Sequence, residues 1–232
     1  MLYPPEWADV LAAASRLQEL LPDAVLVGGT AASQHVGHRV SFDDDHVLTD
    51  LRDRYDQVLA VLESDPGWKT ARMKRPVLIL GSLDGIETGI RQLIRRRPLE
   101  VERLKTPGGE LQVPTLAEMA RIKAWLILRR NATRDYLDFA ALADRLGETE
   151  AVVLALGLDD YYADQLGEGG SRVSTQLAKQ LAEPSPYDLS EVDLRHYRHL
   201  LARWQDWGKV AAWCRSFASR MLEAAALKSE PS

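Results

Sequence analysis

Apolar positions in the first part of the chain follow two periods, one typical of helices and one of strands. Residues 8–21 carry apolar side chains at helical spacing, and so do the residues after Asp50, which predicts two amphipathic helices. Between them, the short apolar run 24–27 predicts a buried strand, and a second strand is predicted over residues 43–48. Gly28-Gly29 breaks the first strand, so a short helix is expected to separate the two.

The next segment is rich in strand patterns. Residues 68–93 predict three strands, and Asp84-Gly85 between the last two is a strong hairpin signal. A second hairpin is predicted around Pro107-Gly108-Gly109. Helices alternating with strands and followed by antiparallel strands predict a mixed sheet with helices packed on it.

The pattern changes after Pro114. Thr115 and Glu118 form a capping box, which predicts a helix running to about Arg130. A second helix is predicted from Arg134 to Leu146, and most of the remaining chain has helical periodicity. The fold class predicted is therefore α/β, with a mixed sheet and flanking helices over residues 1–114 and a helical C-terminal region over residues 115–232.

Composition and charge narrow the functional classes. The 232 residues are 46% apolar and 27% charged, which is typical of a globular protein, and the formal net charge is −5. Bulk charge would not steer such a chain to nucleic acid, so any such contact needs a local basic patch. Arg91 and Arg95–Arg97 offer one, although runs of this kind are more often solvated surfaces.

The expected compartment follows from the cysteine content and the ends of the chain. The single cysteine, Cys214, cannot form an internal disulfide, which fits a reducing compartment. The first residues lack the basic start and apolar run of a signal peptide. No run approaches the roughly 18 apolar residues of a membrane span. These features predict a cytoplasmic protein.

Gly28, Gly29 and Thr30 are the first candidates for chemistry. Two glycines after a strand let the backbone approach a ligand closely, and a helix that starts there points free N–H groups at an anion. Thr30 could cap that helix, or donate a hydroxyl hydrogen bond to a triphosphate. Alone, such a sequence is more often an ordinary turn.

The acidic residues Asp43, Asp44 and Asp45 are the second candidates. Residues two apart on a strand share a face, so Asp43 and Asp45 should converge while Asp44 points away. Two adjacent carboxylates repel unless a cation lies between them, and their oxygens suit Mg²⁺, with Mn²⁺ as a substitute. The alternative is a solvated acidic loop.

The combined pattern resembles a known family. Gly28-Gly29-Thr30-Ala31 followed by Arg39-x-Ser41-x-Asp43-x-Asp45 is similar to the AbiEii/AbiGii-type (MenT-like) toxins of the polymerase-β-type nucleotidyltransferase superfamily. Lys123, and then Arg134-Asp135-x-x-Asp138, match the later motifs of that family. The resemblance covers roughly residues 24–50 and 114–142.

The resemblance implies roles for individual residues. Asp43 and Asp45 would hold Mg²⁺, and Lys123 would contact the nucleotide phosphates, with Asp138 or Asp135 as a distal carboxylate. The helical domain would thus contribute Lys123 and Asp138 to the site. A structural alternative pairs Lys123 with Asp138 as a snorkelling lysine. The remaining nucleotide contacts implied are Gly28, Gly29, Thr30, Arg39, Ser41, Arg130 and Arg134.

The chain departs from the family pattern in two respects. The position between the paired carboxylates is usually apolar, but here it is Asp44. A third carboxylate is expected on a later strand, and the nearest candidate metal ligand is Glu87. One-metal and two-metal mechanisms therefore both stay open. His35, His38 and His46 flank the site without convincing metal spacing, and surface or supporting roles are expected for them.

The resemblance implies a transferase that moves a nucleoside monophosphate from an NTP to an acceptor hydroxyl. The implied acceptor is a tRNA 3′ end, and the implied role is that of a toxin neutralised by an antitoxin protein. Two alternatives remain open. One is a catalytically degenerate fold that binds nucleotide, RNA or protein, and the other is an enzyme that modifies a protein or a small molecule.

Overall fold

The computed structural model describes residues 5–166 and 170–229. They form nine α-helices and seven β-strands, with three short 3₁₀ turns. The helices are α1 Pro5–Leu20, α2 Gly28–Val36, α3 Leu51–Ser64, α4 Leu116–Arg130, α5 Thr133–Leu146, α6 Glu148–Leu156, α7 Leu158–Tyr161, α8 Val173–Ala182 and α9 Trp207–Ser229. The strands are β1 Val25–Leu26, β2 Asp44–Leu48, β3 Trp68–Lys74, β4 Leu78–Leu83, β5 Ile86–Gln92, β6 Val101–Thr106 and β7 Gly109–Pro114.

The chain divides into two compact units. Within the described residues, unit 1 takes the chain up to Gln34 together with Val40–Thr115, and unit 2 takes His35–Arg39 together with everything from Leu116 onward. Unit 1 contains all seven strands, whereas unit 2 is built from helices and turns. The mixed α/β architecture followed by a helical region confirms the predicted fold class.

Unit 1 is organised around a five-stranded mixed sheet of order β1-β2-β5-β4-β3. Strands β2 and β5 are parallel, and every other neighbouring pair is antiparallel. Asp84 and Gly85 join β4 to β5 with positive φ angles of 52° and 86°, as the hairpin signal predicted. Strands β6 and β7 form a separate two-stranded hairpin.

The two faces of this sheet differ in burial. Directly paired residues of neighbouring strands point to the same face, and the row His46, Ile90 and Ile79 is fully buried. That face packs against a core formed with α1 and α3, which includes Leu17 and Leu59. The opposite face carries the row Asp45, Gly89 and Leu80, flanked by exposed residues, and is called the open face below.

Unit 2 has its own apolar core. Aromatic side chains dominate it: Phe139 meets Trp213 and Phe217 edge to face, and Trp125 stacks on Tyr162 with ring centroids 4.5 Å apart. Cys214 is buried in this core, and burial raises the pKa of its thiol to about 12. The helical periodicity of the C-terminal region thus reflects core packing.

Most strand and helix boundaries agree with the sequence pattern to within a few residues. One exception is the region predicted to be mostly helical, where residues 183–206 contain two short 3₁₀ turns and no α-helix. Another is α2, which begins at Gly28 rather than at a Thr30 cap. Gly28 has a φ of 76°, a conformation that favours glycine, and this allows the chain to turn from β1 directly into the helix. Among the described residues, no helix is long and apolar enough to cross a membrane.

Candidate active site

Asp45 lies on the open face of unit 1, beside the turn that starts α2. Its backbone oxygen accepts a 2.7 Å hydrogen bond from the N–H of Val27, which holds β2 against the end of β1. The side chain then lies next to Gly28, where an added Cβ would be 3.4 Å from the Oδ2 of Asp45. The Asp45 carboxylate, with 30% of its side chain exposed, is thus fixed at the N-terminus of a helix.

A second glycine makes room for the same carboxylate. Gly89 on β5 pairs directly with Asp45 on β2, so both face the same way. A Cβ built on Gly89 would lie 2.6 Å from the Oδ1 of Asp45, closer than real Cβ contacts allow. Any side chain at Gly89 would therefore displace the Asp45 carboxylate.

Three more charged residues share the open face with Asp45. Glu87 and Arg91 lie two positions either side of Gly89 on β5, and both are exposed. Arg91 Nε donates to Asp45 Oδ1 at 3.4 Å. Asp43 immediately precedes β2, is exposed, and falls on the same side by alternation. Alternation therefore puts Asp43, Asp45 and Glu87 on one face of the sheet, and their joint role as metal ligands stays a prediction.

Thr30 and Ser41 contribute to the shape of the loop before β2. The Thr30 hydroxyl is fully buried and donates to the carbonyl oxygen of Asp43 at 2.7 Å and to that of Ser41 at 3.4 Å. Ser41 itself is buried. Thr30 thus fixes the backbone that presents Asp43, while Gly28 and Gly29 leave the first N–H groups of α2 accessible.

Asp44 points to the buried face of the sheet. It is fully buried, its Oδ1 lies 3.1 Å from His46 Nδ1, and Thr88 Oγ1 donates to its Oδ2 at 3.4 Å. The other ring nitrogen of His46 lies 3.2 Å from the side-chain amide of Gln18 on α1. Asp44 and His46 therefore tie the strand that carries Asp45 to the helix beneath it.

The donor set on the open face fits a hard cation. Mg²⁺ is characteristically held by one or two carboxylates, with waters and substrate phosphates completing six oxygen ligands. Asp43 and Asp45 provide such a pair, and the glycines beside Asp45 keep its oxygens clear of other side chains. Across residues 5–166 and 170–229, no group of three or more potential metal ligands is preassembled.

The motif residues from the second half of the chain lie in unit 2, in a buried network centred on Asp138. Its Oδ1 lies 2.6 Å from His38 Nε2 and accepts from Arg39 Nε at 2.7 Å. Its Oδ2 accepts from Arg39 at 2.9 Å and lies 2.7 Å from Lys123 Nζ. All four side chains are at most 6% exposed, so this is a desolvated ionic cluster.

The electrostatics of this cluster keep Asp138 ionised. Burial alone would raise the pKa of Asp138, but the charges of Arg39 and Lys123 outweigh it and hold the pKa well below its usual range. Burial lowers the pKa of His38 despite its contact with Asp138, which favours a neutral imidazole. A neutral His38 donates to the carboxylate through Nε2.

Asp135 extends the network towards the surface of unit 2. It is fully buried, lies 3.5 Å from Lys123 Nζ, and accepts two hydrogen bonds from Arg130, which is 39% exposed. Arg134 is exposed. Lys123 thus contacts two carboxylates, and its pairing with Asp138 agrees with the structural alternative, but its side chain is only 1% exposed and does not snorkel to the surface. Its role as a nucleotide contact stays a prediction.

Some residues of these sites carry no clear signal in the sequence. Gly89 is one glycine in a strand pattern, and its role depends on the β2–β5 register. His38 and His46 were expected at the surface or in supporting roles, and both are fully buried against a carboxylate. For His46, the sequence offers one indication of its contact with Asp44, because residues two apart on a strand share a face. For His38 we find no such indication.

The fold of this chain is similar to the folds of several solved structures. The alignment with JHP933 from Helicobacter pylori covers 98% of this chain and 97% of JHP933, with a TM-score of 0.56 and 16% sequence identity. The alignment with a proposed nucleotidyltransferase from H. pylori covers 99% of this chain and 100% of that protein, with a TM-score of 0.57 and 15% sequence identity. The chain has a nucleotidyltransferase-like fold. ANT(2″)-Ia, in complex with adenylyl-2″-tobramycin, covers 66% of it with a TM-score of 0.51 and 10% identity.

Curated sequences add a relative of another kind. Over 133 residues, 56% of this chain, the sequence is 43% identical to heme uptake protein MmpL11 of Mycobacterium tuberculosis. Over 132 residues it is 39% identical to the mycolic acid-containing lipids exporter MmpL11 of Mycolicibacterium smegmatis. The matched stretch is 13% of each of those proteins, so the chain spans about an eighth of their length. No family model matches the chain.

Proposed function

We propose that this protein is a Mg²⁺-dependent nucleotidyltransferase that moves a nucleoside monophosphate from an NTP to an acceptor hydroxyl. The observation that carries this proposal is the position of Asp45, cradled by Gly28 and Gly89 at the start of α2. The fold shared with nucleotidyltransferases supports it. Backbone N–H groups at the start of a helix and a carboxylate lie side by side there, and a metal–triphosphate complex would need groups of both kinds.

Each residue of unit 1 has a distinct part in this reaction. The free N–H groups at Gly28 and Gly29 bind the triphosphate, and Thr30 fixes the loop that presents Asp43. Asp43 and Asp45 are the proposed ligands of Mg²⁺, which would polarise the α-phosphate and lower the pKa of the acceptor hydroxyl. Glu87 is the proposed third carboxylate, and Arg91 balances the charge of Asp45.

The acceptor and the biological role follow from the family resemblance. Its motifs support an AbiEii/MenT-like toxin that transfers the nucleotide to a tRNA 3′ end and is neutralised by an antitoxin protein. Lys123 and Asp138 are then proposed to support the reaction from unit 2, along with Arg39, Arg130, Arg134 and Asp135. The fold comparison with ANT(2″)-Ia keeps a small-molecule hydroxyl as a competing acceptor.

A labelled-nucleotide assay tests the proposal. The protein is incubated with each α-labelled NTP, Mg²⁺ and total tRNA, beside Asp43→Asn/Asp45→Asn and a control, Asp9→Asn/Asp53→Asn. The control removes two exposed carboxylates from α1 and α3 that make no ion pair with any described residue. A bound metal contributes several kcal/mol to the transition state, so the site variant should lose at least about 100-fold in rate.

The two outcomes of that assay are clearly separated. Label on tRNA from the wild type and the control, but not from the site variant, supports the proposal. Label that never rises above the level of the site variant, on RNA, protein or small molecules, would exclude an enzyme of this type. Chelation with EDTA should abolish transfer, and Mg²⁺ or Mn²⁺ should restore it.

A second candidate function is that of a binding module without turnover. The contact of Arg91 with Asp45 favours it, because that guanidinium occupies a carboxylate oxygen that a metal would need. Nucleotide that binds tightly while no product forms in the assay above would select this candidate.

A further inference from the structure

The open face of the sheet in unit 1 carries three cationic side chains on its edge strand. In β3 the register with β4 shifts between Thr70 and Arg72, so Ala71 is the extra residue of a β-bulge. Strict alternation would put Lys69 on one face and Arg72 and Lys74 on the other. The bulge instead brings Lys69, Arg72 and Lys74 to the same face; these three residues are called the basic strip.

The register connects the basic strip to the carboxylate site. Arg72 pairs with Leu80 on β4, Leu80 pairs with Gly89 on β5, and Gly89 pairs with Asp45 on β2. Paired residues share a face, so this row runs across the open face from the strip to Asp45. Three strand spacings of about 4.8 Å separate the two ends, a distance of about 14 Å.

The charges of the basic strip are not neutralised within the protein. All three side chains are exposed, and none of them forms an ion pair with a carboxylate in the described part of the chain. The protein as a whole carries a formal charge of −5, so three uncompensated cations on one strand are a local exception. A binding partner of opposite charge would compensate them.

We propose that the basic strip binds the phosphate backbone of a single-stranded RNA whose terminal hydroxyl is presented at Asp45. This inference rests on the function proposed for the carboxylate site. The cations are repeated along a strand rather than converging on a point, which suits a repeating anion better than a single phosphate. Half-buried Leu78 and Leu80 lie between the strip and the site and offer apolar surface to bases.

The distance between the strip and Asp45 suits a long acceptor. At about 14 Å from Asp45, the strip lies beyond the Debye length of about 8 Å at physiological salt, so a small acceptor bound at Asp45 would gain nothing from its charges. An RNA strand would be attracted along the whole row, with an affinity that falls steeply with salt because counterions are released. The strip would therefore contribute to the binding of an RNA acceptor and not to that of a small-molecule acceptor, although the transfer reaction is the same for both.

A charge-matched pair of triple variants tests the proposal. The strip variant is Lys69→Gln/Arg72→Gln/Lys74→Gln, and the control is Lys105→Gln/Lys179→Gln/Lys209→Gln, which removes three exposed lysines from β6, α8 and α9. Both lose three positive charges. Binding of a short fluorescein-labelled single-stranded RNA is followed by anisotropy over a salt series, and thermal melting checks that both variants fold.

The expected result is specific to the strip. Its variant should bind the RNA at least about tenfold more weakly at low salt, and the slope of log K against log salt should fall by about 2, or about 0.7 per lost phosphate contact. The control variant should match the wild type. Equal affinity and slope in both variants would overturn the proposal, as would strip-dependent binding to vesicles of anionic phospholipid without RNA binding.

Failure of the inference can be told apart from failure of the proposed function. If Asp43→Asn/Asp45→Asn abolishes labelling while the strip variant keeps wild-type RNA affinity, the transferase stands and the strip is not its RNA surface. If RNA binding depends on the strip but no label is ever transferred, the strip is supported and the transferase is not. The Asp43→Asn/Asp45→Asn variant should still bind the RNA probe.

Discussion

At the scale of single residues, the three adjacent aspartates have three different environments. Asp43 is exposed, Asp44 is fully buried beside His46 and Thr88, and Asp45 is partly exposed between two glycines. Alternation along β2 produces this division, because neighbouring residues face opposite sides of the sheet. Asp44 is therefore expected to contribute to stability, and Asp43 and Asp45 to the proposed chemistry.

Substituting the aspartates one at a time should separate these roles. Asp45→Asn should abolish transfer with little effect on stability, since its carboxylate is partly exposed. Asp44→Asn should lower the free energy of unfolding by about 1–3 kcal/mol, because an amide replaces the buried carboxylate that contacts His46 and Thr88. Urea unfolding and the labelling assay measure the two effects. Equal loss of stability in both variants would contradict the division.

Gly89→Ala tests the cradle around Asp45. The added Cβ would lie 2.6 Å from Asp45 Oδ1, so the carboxylate must move. A displacement of about 1 Å can cost about 100-fold in rate, and a loss of that order is expected. Gly157→Ala is the control, because its Cβ would meet only ordinary contacts at 3.5 Å. A Gly89→Ala enzyme with wild-type kcat/KM would show that the position of Asp45 is unimportant.

At the scale of elements, helices α4 and α5 of unit 2 are joined by buried charge. Lys123 on α4 contacts Asp135 and Asp138 on α5, and Arg39 also binds Asp138. Replacing such a cluster by apolar residues can be neutral, but removing one partner leaves the others buried and uncompensated. The cluster therefore makes the packing of these helices sensitive to single substitutions.

Asp138→Asn should destabilise unit 2 strongly. It leaves Lys123 and Arg39 buried without their main counter-charge, and losses of this kind are about 3–5 kcal/mol. Asp144→Asn in the same helix is the control, because its pair with Arg203 is exposed and should contribute less than about 1 kcal/mol. Urea unfolding compares the two variants, and similar losses of stability would argue against uncompensated buried charge as the cause.

Lys123→Met separates a structural role for this lysine from a nucleotide contact. If Lys123 only balances Asp138, the variant loses stability while kcat and KM per folded molecule stay close to the wild-type values. If it also contacts the triphosphate, the KM for NTP rises or kcat falls out of proportion to the folded fraction. Kinetics at a temperature where the variant is fully folded would decide between the two.

His38 should make the stability of unit 2 depend on pH. Burial lowers the pKa of His38 in the folded state, so the unfolded chain, with a pKa of about 6.5, binds the proton more readily. Stability is therefore fully present above about pH 6.5 and falls as the pH drops below it. Asp138, Arg39 and Lys123 surround the ring, and Asp138 stays ionised through this range.

A comparison of wild type with His38→Gln checks this pH dependence. Urea unfolding at about pH 8 and about pH 5 should show a larger loss for the wild type, because glutamine can still donate to Asp138 but does not titrate. The difference between the two losses is the contribution of His38. A variant that loses as much stability as the wild type would show that His38 is protonated without cost.

The sequence predicts the elements of this fold better than the contacts between them. The shared face of Asp43 and Asp45 could be predicted because alternation depends only on neighbouring residues. The role of Gly89 depends on a register between strands about 40 residues apart, and the burial of His38 depends on a carboxylate 100 residues away. Neither the strand register nor the contact of His38 produces a periodic pattern in the nearby sequence. The bulge at Ala71 is equally hidden, because β3 is an edge strand with little apolar alternation.

At the scale of the whole molecule, a chain with a net charge of −5 is proposed to act on a polyanion. The two facts are compatible because charge is unevenly distributed over the protein surface. The electrostatic field at one point on the surface is set by charges within a Debye length, which is about 8 Å at physiological salt. Recognition should therefore be local, weak at high salt and lost when a few cations are removed. The excess negative charge elsewhere would limit nonspecific binding.

The toxin role is a prediction about the molecule in a cell. Induced expression of the wild type in a bacterial host should slow growth and produce tRNA with additional 3′ nucleotides, detectable by sequencing of tRNA ends. Asp43→Asn/Asp45→Asn should do neither at equal protein level, whereas Asp9→Asn/Asp53→Asn should behave as the wild type. Both variants lose two carboxylates, and only one of them loses the proposed metal ligands. Growth inhibition by both would therefore mean that toxicity comes from the folded protein and not from its transfer chemistry.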